Sequence, residues 1–133
     1  LEKTQRKAIV KNKITIITPP DDVSEDGIRI LVYGCKEEQT LLISSVIYEI
    51  KECKPTIIYV CNGQDNSKWA LDKKQKCSII IFNAETENQT MVGYLAAQHN
   101  SYYFGELRTL QPVNSNRINT KEQLTTLMED NIT

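Results

Sequence analysis

The stretch IRILVYGCKEEQTLLISSVIYEIKECKPTIIYVC, residues 28–61, decides the fold. Its opening, Ile28 to Gly34, is an almost continuous apolar run closed by glycine, the pattern of a strand buried on both faces. From Glu37 to Cys53 the period changes. Leu42, Val46, Ile47 and Ile50 recur at helical spacing with Leu41 beside them. Glu37 and Glu38 stand where a helix dipole favours negative charge, and Pro55 enforces a stop. TIIYVC (56–61) is a second buried strand. Strand, helix, strand makes a βαβ unit, for which a right-handed crossover is the default.

Downstream the unit repeats in outline. Residues 62–76 hold a loop and a short helix, and SIIIF (78–82) is a third apolar strand. ENQTMVGYLAAQH (87–99) reads as a helix capped by Thr86 or Asn83 and closing near Asn100. SYYFGEL (101–107) is a fourth parallel strand, and residues 108–118 are irregular. Thr120 and Gln123 form a capping-box pattern before Leu124, Leu127 and Met128, which predicts a terminal helix. Upstream, KITIIT (13–18) is a strand stopped by Pro19 and Pro20. The nine residues between it and Ile28 are too few for a helical crossover, so it is expected to pair antiparallel with its successor or lie at a sheet edge. The expected fold is α/β: a three-layer Rossmann-like or flavodoxin-like domain over residues 14–133, with a mainly parallel sheet of four to five strands.

The chain has 133 residues, 40% of them apolar, which is one-domain size. Sixteen basic side chains against 17 acidic ones exclude a uniform polyanion-binding coat. That balance averages unlike parts. Residues 1–13 carry Lys3, Arg6, Lys7, Lys11 and Lys13 against Glu2, a basic N-terminal arm of net +4, and residues 67–76 are net +3. No apolar run reaches the length needed to span a bilayer, and the start has no secretory h-region, so no membrane association is expected. Cys35, Cys53, Cys61 and Cys77 are spaced by 17, 7 and 15 residues, without a C-x-x-C pair and with His99 as the one histidine. That spacing suits no metal site and reads as buried, reduced thiols in a cytoplasmic setting. The sequons at Asn88 and Asn131 are then chance matches. The abundance of Asn, Lys and Ile points to an AT-rich coding source, such as a bacterium or phage.

Ligands of open parallel sheets bind beyond the carboxyl ends of the strands. That rule nominates Gly34 and Cys35, then Asn62, Gly63, Gln64 and Asp65, then Asn83, Ala84 and Glu85, and, with 101–107 as a strand of the sheet, Gly105 and Glu106. No glycine-rich phosphate loop follows the first buried strand, and Glu37 and Glu38 would repel a phosphate from that helix start, so no nucleotide cofactor is expected. Cys35 at a strand end resembles the phosphocysteine loops of sugar-transport IIB domains and low-molecular-weight phosphatases. Lys36, Glu37, Glu38 and Gln39 lack the donors that such loops use to lower a thiol pKa. SIIIFNAETENQTMVGYLAAQ (78–98) resembles the nucleoside 2-deoxyribosyltransferase-like Rossmannoid group, with Gly93, Tyr94 and Ala96 on its helix motif. The resemblance implies a loop acid, for which Glu85 or Glu87 would serve. It also implies a nucleophilic Glu two residues before the glycine, where this chain has Met91, and hence a catalytically dead copy. Two further surfaces suit contacts. In SKWALDKKQK, Lys68, Lys73, Lys74 and Lys76 surround Trp69, either as a nucleic-acid track or as a connector whose tryptophan docks on the sheet while the lysines face water. Tyr102, Tyr103 and Phe104 cluster near an expected sheet edge, where part of the trio should be exposed or meet a partner.

The reading is therefore a non-enzymatic α/β binding or protein-interaction module, with a protein partner or a homo-oligomer. A small nucleoside- or nucleotide-processing enzyme using Asn62, Asp65 or Glu85 is the alternative. A nucleic-acid accessory protein acting through the basic segments is the third.

Overall fold

The computed structural model describes residues 14–19, 27–61, 67–74 and 76–133. The basic arm expected over residues 1–13 and residues 20–26 lie outside them. The chain order is β1 (Ile14–Ile17), β2 (Ile28–Tyr33), α1 (Glu37–Glu49), β3 (Thr56–Cys61), α2 (Ser67–Lys74), β4 (Ile79–Asn83), α3 (Gln89–Ala96), β5 (Ser101–Phe104), β6 (Asn116–Arg117) and α4 (Lys121–Ile132). These six strands form one sheet in the order β1-β3-β2-β4-β5-β6, and every pairing is parallel. From β2 onward this is the 2-1-3-4-5 order of flavodoxin-like folds, with β1 added beyond β3.

Strand alternation builds the three layers. Ile30 and Val32 of β2, Ile58 and Val60 of β3, and Ile79 and Ile81 of β4 face one way, onto Ile43, Val46 and Ile47 of α1 and Leu124, Leu127 and Met128 of α4. Leu31 and Tyr33, Ile57 and Tyr59, and Ile80 and Phe82 face the other way, onto Ala70 of α2 and Met91, Val92 and Leu95 of α3. All of β3 and all of β4 are buried, which explains why these runs show no polar alternation in sequence. The expected capping box opens α4, with Gln123 N donating to Thr120 Oγ1 at 3.1 Å. For α3 the cap is Asn88, whose Oδ1 accepts from Met91 N, in place of the expected Thr86 or Asn83.

Three expectations are corrected. The first strand does sit at a sheet edge, but it pairs parallel with β3 and not antiparallel with β2. A parallel placement lies within reach of the chain, which spans about 3.3–3.6 Å per residue when extended. The second correction is β6, a two-residue strand beside β5 inside the segment expected to be irregular. Third, β5 is consequently an interior strand of the sheet.

The β5–β6 connection explains how that segment works. Parallel neighbours need a crossover, normally helical. Here Gly105–Ser115 forms an irregular strap that runs back along α3. Glu106 N donates to Glu85 Oε2 at 3.0 Å near its start, and Asn114 N and Ser115 N donate to Ala96 O at its end. Midway, a Cβ on Gly93 would lie 3.1 Å from Gln111 Oε1, so the bare helix face at Gly93 makes room for the strap.

Gly34 closes the switch between the two halves of the sheet. It has φ +68°, and a Cβ there would stand 2.8 Å from Thr86 Cβ and Oγ1. G34A is therefore expected to cost about 2–4 kcal/mol, combining left-handed strain with overpacking. Urea melts check this, and adding T86G should return the steric share but not the backbone share.

Candidate functional site at the carboxyl edge of the sheet

The strand order reverses between β2 and β4, where open α/β sheets usually hold ligands. At this point Thr86 packs against Gly34. One strand further on, beyond the ends of β4 and β5, there is open space. A crevice of about 550 Å³ opens there, walled by Ala84, Glu85, Gln89, Arg108 and Thr109. Its size falls within the range of small-molecule sites.

Each wall group is held by a neighbour. Asn83, buried at the last position of β4, accepts from Glu85 N through Oδ1 at 3.0 Å and so turns the chain. Gln89 donates through Nε2 to Ala84 O and Thr86 O, fastening the same loop from α3. Glu85 lays its carboxylate against Gly105, whose φ is +88°, and accepts from Glu106 N. Arg108 is exposed and stands 3.8 Å from Glu106, an ion pair too open to water to fix the guanidinium. Thr109 Oγ1 accepts from Gln111 N, which leaves its hydroxyl hydrogen available. The walls thus offer one cation, one carboxylate, an amide and a hydroxyl. Behind them, Ser67 Oγ accepts from Asn88 Nδ2 at 2.7 Å and lies 3.2 Å from Tyr33 OH, tying β2, α2 and α3 together.

A second crevice of about 430 Å³ lies between the starts of α1 and α4, floored by Leu42, Phe104 and Ile118. Both helix starts are partly satisfied internally, by Lys36 N donating to Gln39 Oε1 and by the Thr120–Gln123 box. Around that apolar floor stand Glu38, Gln39, Asn119, Thr120 and Lys121.

The nominated residues divide accordingly. Gly34, Cys35, Asn83, Ala84, Glu85, Gly105 and Glu106 do gather at the carboxyl edge, and of these Ala84 and Glu85 line the larger crevice. Asn62, Gly63, Gln64 and Asp65 lie outside the described residues. Cys35 points into the core beneath α1 and not toward the edge. Met91 is buried among the residues under α3, so the position the family resemblance assigns to a nucleophile faces the sheet and not the crevice. Glu87 and His99 are exposed.

The basic segment requires a correction. Trp69 docks on the sheet as a T-shaped partner of Tyr59, with centroids 5.7 Å apart. Lys68 and Lys76 are exposed and Lys74 is half-buried, but Lys73, expected to face water, is 2% exposed. Its ammonium lies 5.3 Å from the Tyr59 ring centroid and 5.6 Å from that of Trp69. In the aromatic trio Phe104 is buried while Tyr102 and Tyr103 are half-buried. Tyr103 stacks on Phe82 at 5.7 Å, Tyr102 packs on the opposite core, and Phe104 is buried, because β6 covers the edge that β5 would otherwise have formed. Arg108, Thr109 and Gln89 were not nominated from sequence. No local pattern marks them, and the strap alone brings them to β4.

All four cysteines are buried and unbridged. Burial pushes the Cys35 thiol from 9.0 up to about 12. Burial does the same for Cys77, to about 12, against the opposing pull of the Arg29 and Lys73 cations. Among the described residues no group of three metal-binding side chains assembles, and no helix is long and apolar enough to cross a membrane. The folded protein keeps thiol protons that the unfolded chain releases from about pH 9, so these two groups make stability fall as pH rises from 9 towards 12. Urea melts should show this decline, with a contribution of up to about 1.4 kcal/mol per pH unit per thiol. C35A/C77A should flatten that part of the curve.

Compared with protein-family models, with curated proteins and with solved structures, the chain matches none.

Proposed function

We propose that this chain is a non-enzymatic α/β binding module that takes a small polar ligand without net charge in the crevice between the ends of β4 and β5. The observation that carries this reading is the crevice itself, of ligand size and walled by Glu85, Gln89, Arg108 and Thr109. One guanidinium and one carboxylate balance each other there, while the amide and hydroxyl add hydrogen bonds. Such walls suit a neutral or zwitterionic molecule with donor and acceptor edges, such as a nucleoside or a free amino acid. A polyphosphate would meet a single cation and the carboxylate of Glu85.

The binding reading is favoured over the enzyme reading because the polar groups at this edge are already engaged with the protein. Glu85 holds the Glu106 amide, Asn83 holds the Glu85 amide, and the Cys35 thiol is buried with a raised pKa. A general acid–base pair needs groups that converge on a substrate with pKa values near the working pH. A protein partner is the second reading. It rests on fully exposed Leu110, with Val113 on the same strap and Tyr94 on α3, the helix along which the strap runs, as further exposed large apolar side chains. Four unbridged thiols support a reducing, cytoplasmic setting.

Thermal shift with separate panels of nucleosides, amino acids and nucleoside triphosphates tests the proposal. At least one uncharged or zwitterionic class should raise Tm, and the triphosphates should not. R108A/T109A should weaken binding at least about tenfold, which removes about 1.4 kcal/mol of ligand-linked stabilisation at saturating ligand. A shift that survives unchanged in the double variant, or no shift from any neutral class, overturns the ligand site.

A further inference from the structure

We infer that the strap Gly105–Ser115 is a gate over the β4–β5 crevice, hinged at its Ser115 end and latched at its Gly105 end by the Glu85 carboxylate. The inference rests on reading that crevice as the ligand site and assigns its regulation. Three features of the strap carry it. First, Arg108 and Thr109 belong to the strap and wall the crevice, while Ala84, Glu85 and Gln89 belong to the body. Moving the strap therefore takes away one wall and leaves the other in place.

Second, the two ends are fastened differently. At the Ser115 end, Asn114 N and Ser115 N both donate to Ala96 O, Asn114 Nδ2 donates to Ala97 O, and β6 follows at once in the sheet. At the Gly105 end the sheet ladder closes with Ala84 N donating to Phe104 O and Leu107 packs on the core, while the hydrogen bond of the strap itself onto the 83–86 loop runs from Glu106 N to Glu85 Oε2. That bond is charge-assisted and set in an exposed position, strong enough to hold a segment and open enough to be exchanged for water or a ligand group. It depends on Gly105, because a Cβ there would fall 2.6 Å from Glu85 Oε2 in a backbone of φ +88°.

Third, the middle of the strap is set lightly on the body. Beyond Leu107, which packs against the core under α3, it carries no helix, Leu110 is fully exposed, and Gln111 takes the space that a Cβ on Gly93 would need. Segments with few buried contacts are those that open at low free energy. Opening at the latch swings Arg108 and Thr109 away from Glu85 and Gln89, and the same motion frees the Glu85 carboxylate to meet an incoming ligand. A ligand that bridges Arg108 to the body would hold the strap down, so binding and closure are linked.

Limited trypsin digestion of the ligand-free full chain tests the gate without any assumption about the ligand. Arg108 is the strap's one tryptic position. Cleavage after Arg108 should rise about tenfold or more in E85A, the range expected for loss of a hydrogen bond to a charged group when opening is fast relative to cleavage. G105A, which pushes the same carboxylate aside, should behave alike, and E85Q should fall between E85A and the parent. Amide exchange at Asn114 and Ser115, followed in parallel, should change less than about twofold in E85A. Unchanged cleavage in E85A and G105A overturns the latch. Exchange at Asn114 and Ser115 rising in step with cleavage overturns the hinge, because the strap would then be leaving α3 as a whole. Failure of the ligand panels would leave these ligand-free results standing, so the two readings fail separately.

Discussion

Burial of β2, β3 and β4 on both faces is the constraint on which the rest of this structure depends. A parallel sheet cannot present one face to water and still bring its crossovers home, so each strand must carry apolar side chains in both directions. Ile30 and Val32 serve one layer while Leu31 and Tyr33 serve the other, and the pattern recurs on β3 and β4. Two helices per face follow from that demand. The arrangement also sends each crossover back over the carboxyl edge, where the polar turns after β2, β4 and β5 gather.

What happens at that edge is governed by small residues. Gly34 admits Thr86 at the reversal of strand order, the place where such sheets usually bind. Gly105 admits the Glu85 carboxylate, and Gly93 admits the strap. In two of these places a side-chain-free Cα is occupied by a polar group from another element, and in the third by a hydroxyl-bearing threonine. The most exposed apolar side chain, Leu110, also lies on the strap, so a partner gripping this face would act on the same segment that walls the crevice.

Much of the architecture was legible because strands buried on both faces and a well-capped helix advertise themselves locally. The runs 28–34, 56–61 and 78–82, the helix after Glu37 and the box at Thr120 and Gln123 all sit where their periodicity places them. The direction of β1 was not legible, because a short edge strand carries no mark of whether its partner runs with it or against it. Nor was β6, whose Asn116 and Arg117 have neither apolar alternation nor β-branching and are strand by virtue of Tyr102 and Tyr103 alongside. Lys73 is the sharpest case. In sequence it is one lysine of four around a tryptophan, and only the docking of α2 turns it inward over Tyr59.

The sequence by itself determined the fold class, the three layers and the absence of a glycine-rich phosphate loop, since each is encoded in runs of neighbouring residues. Beyond the loop after β4, tertiary structure alone decided which residues wall the crevice. Glu85 and Gln89 come from the loop and helix after β4, and Arg108 and Thr109 come from a strap that is irregular for want of any local preference. Their convergence comes from the β5–β6 crossover lying along α3 at Gly93, a packing relation between residues far apart in the chain, which no local periodicity can express.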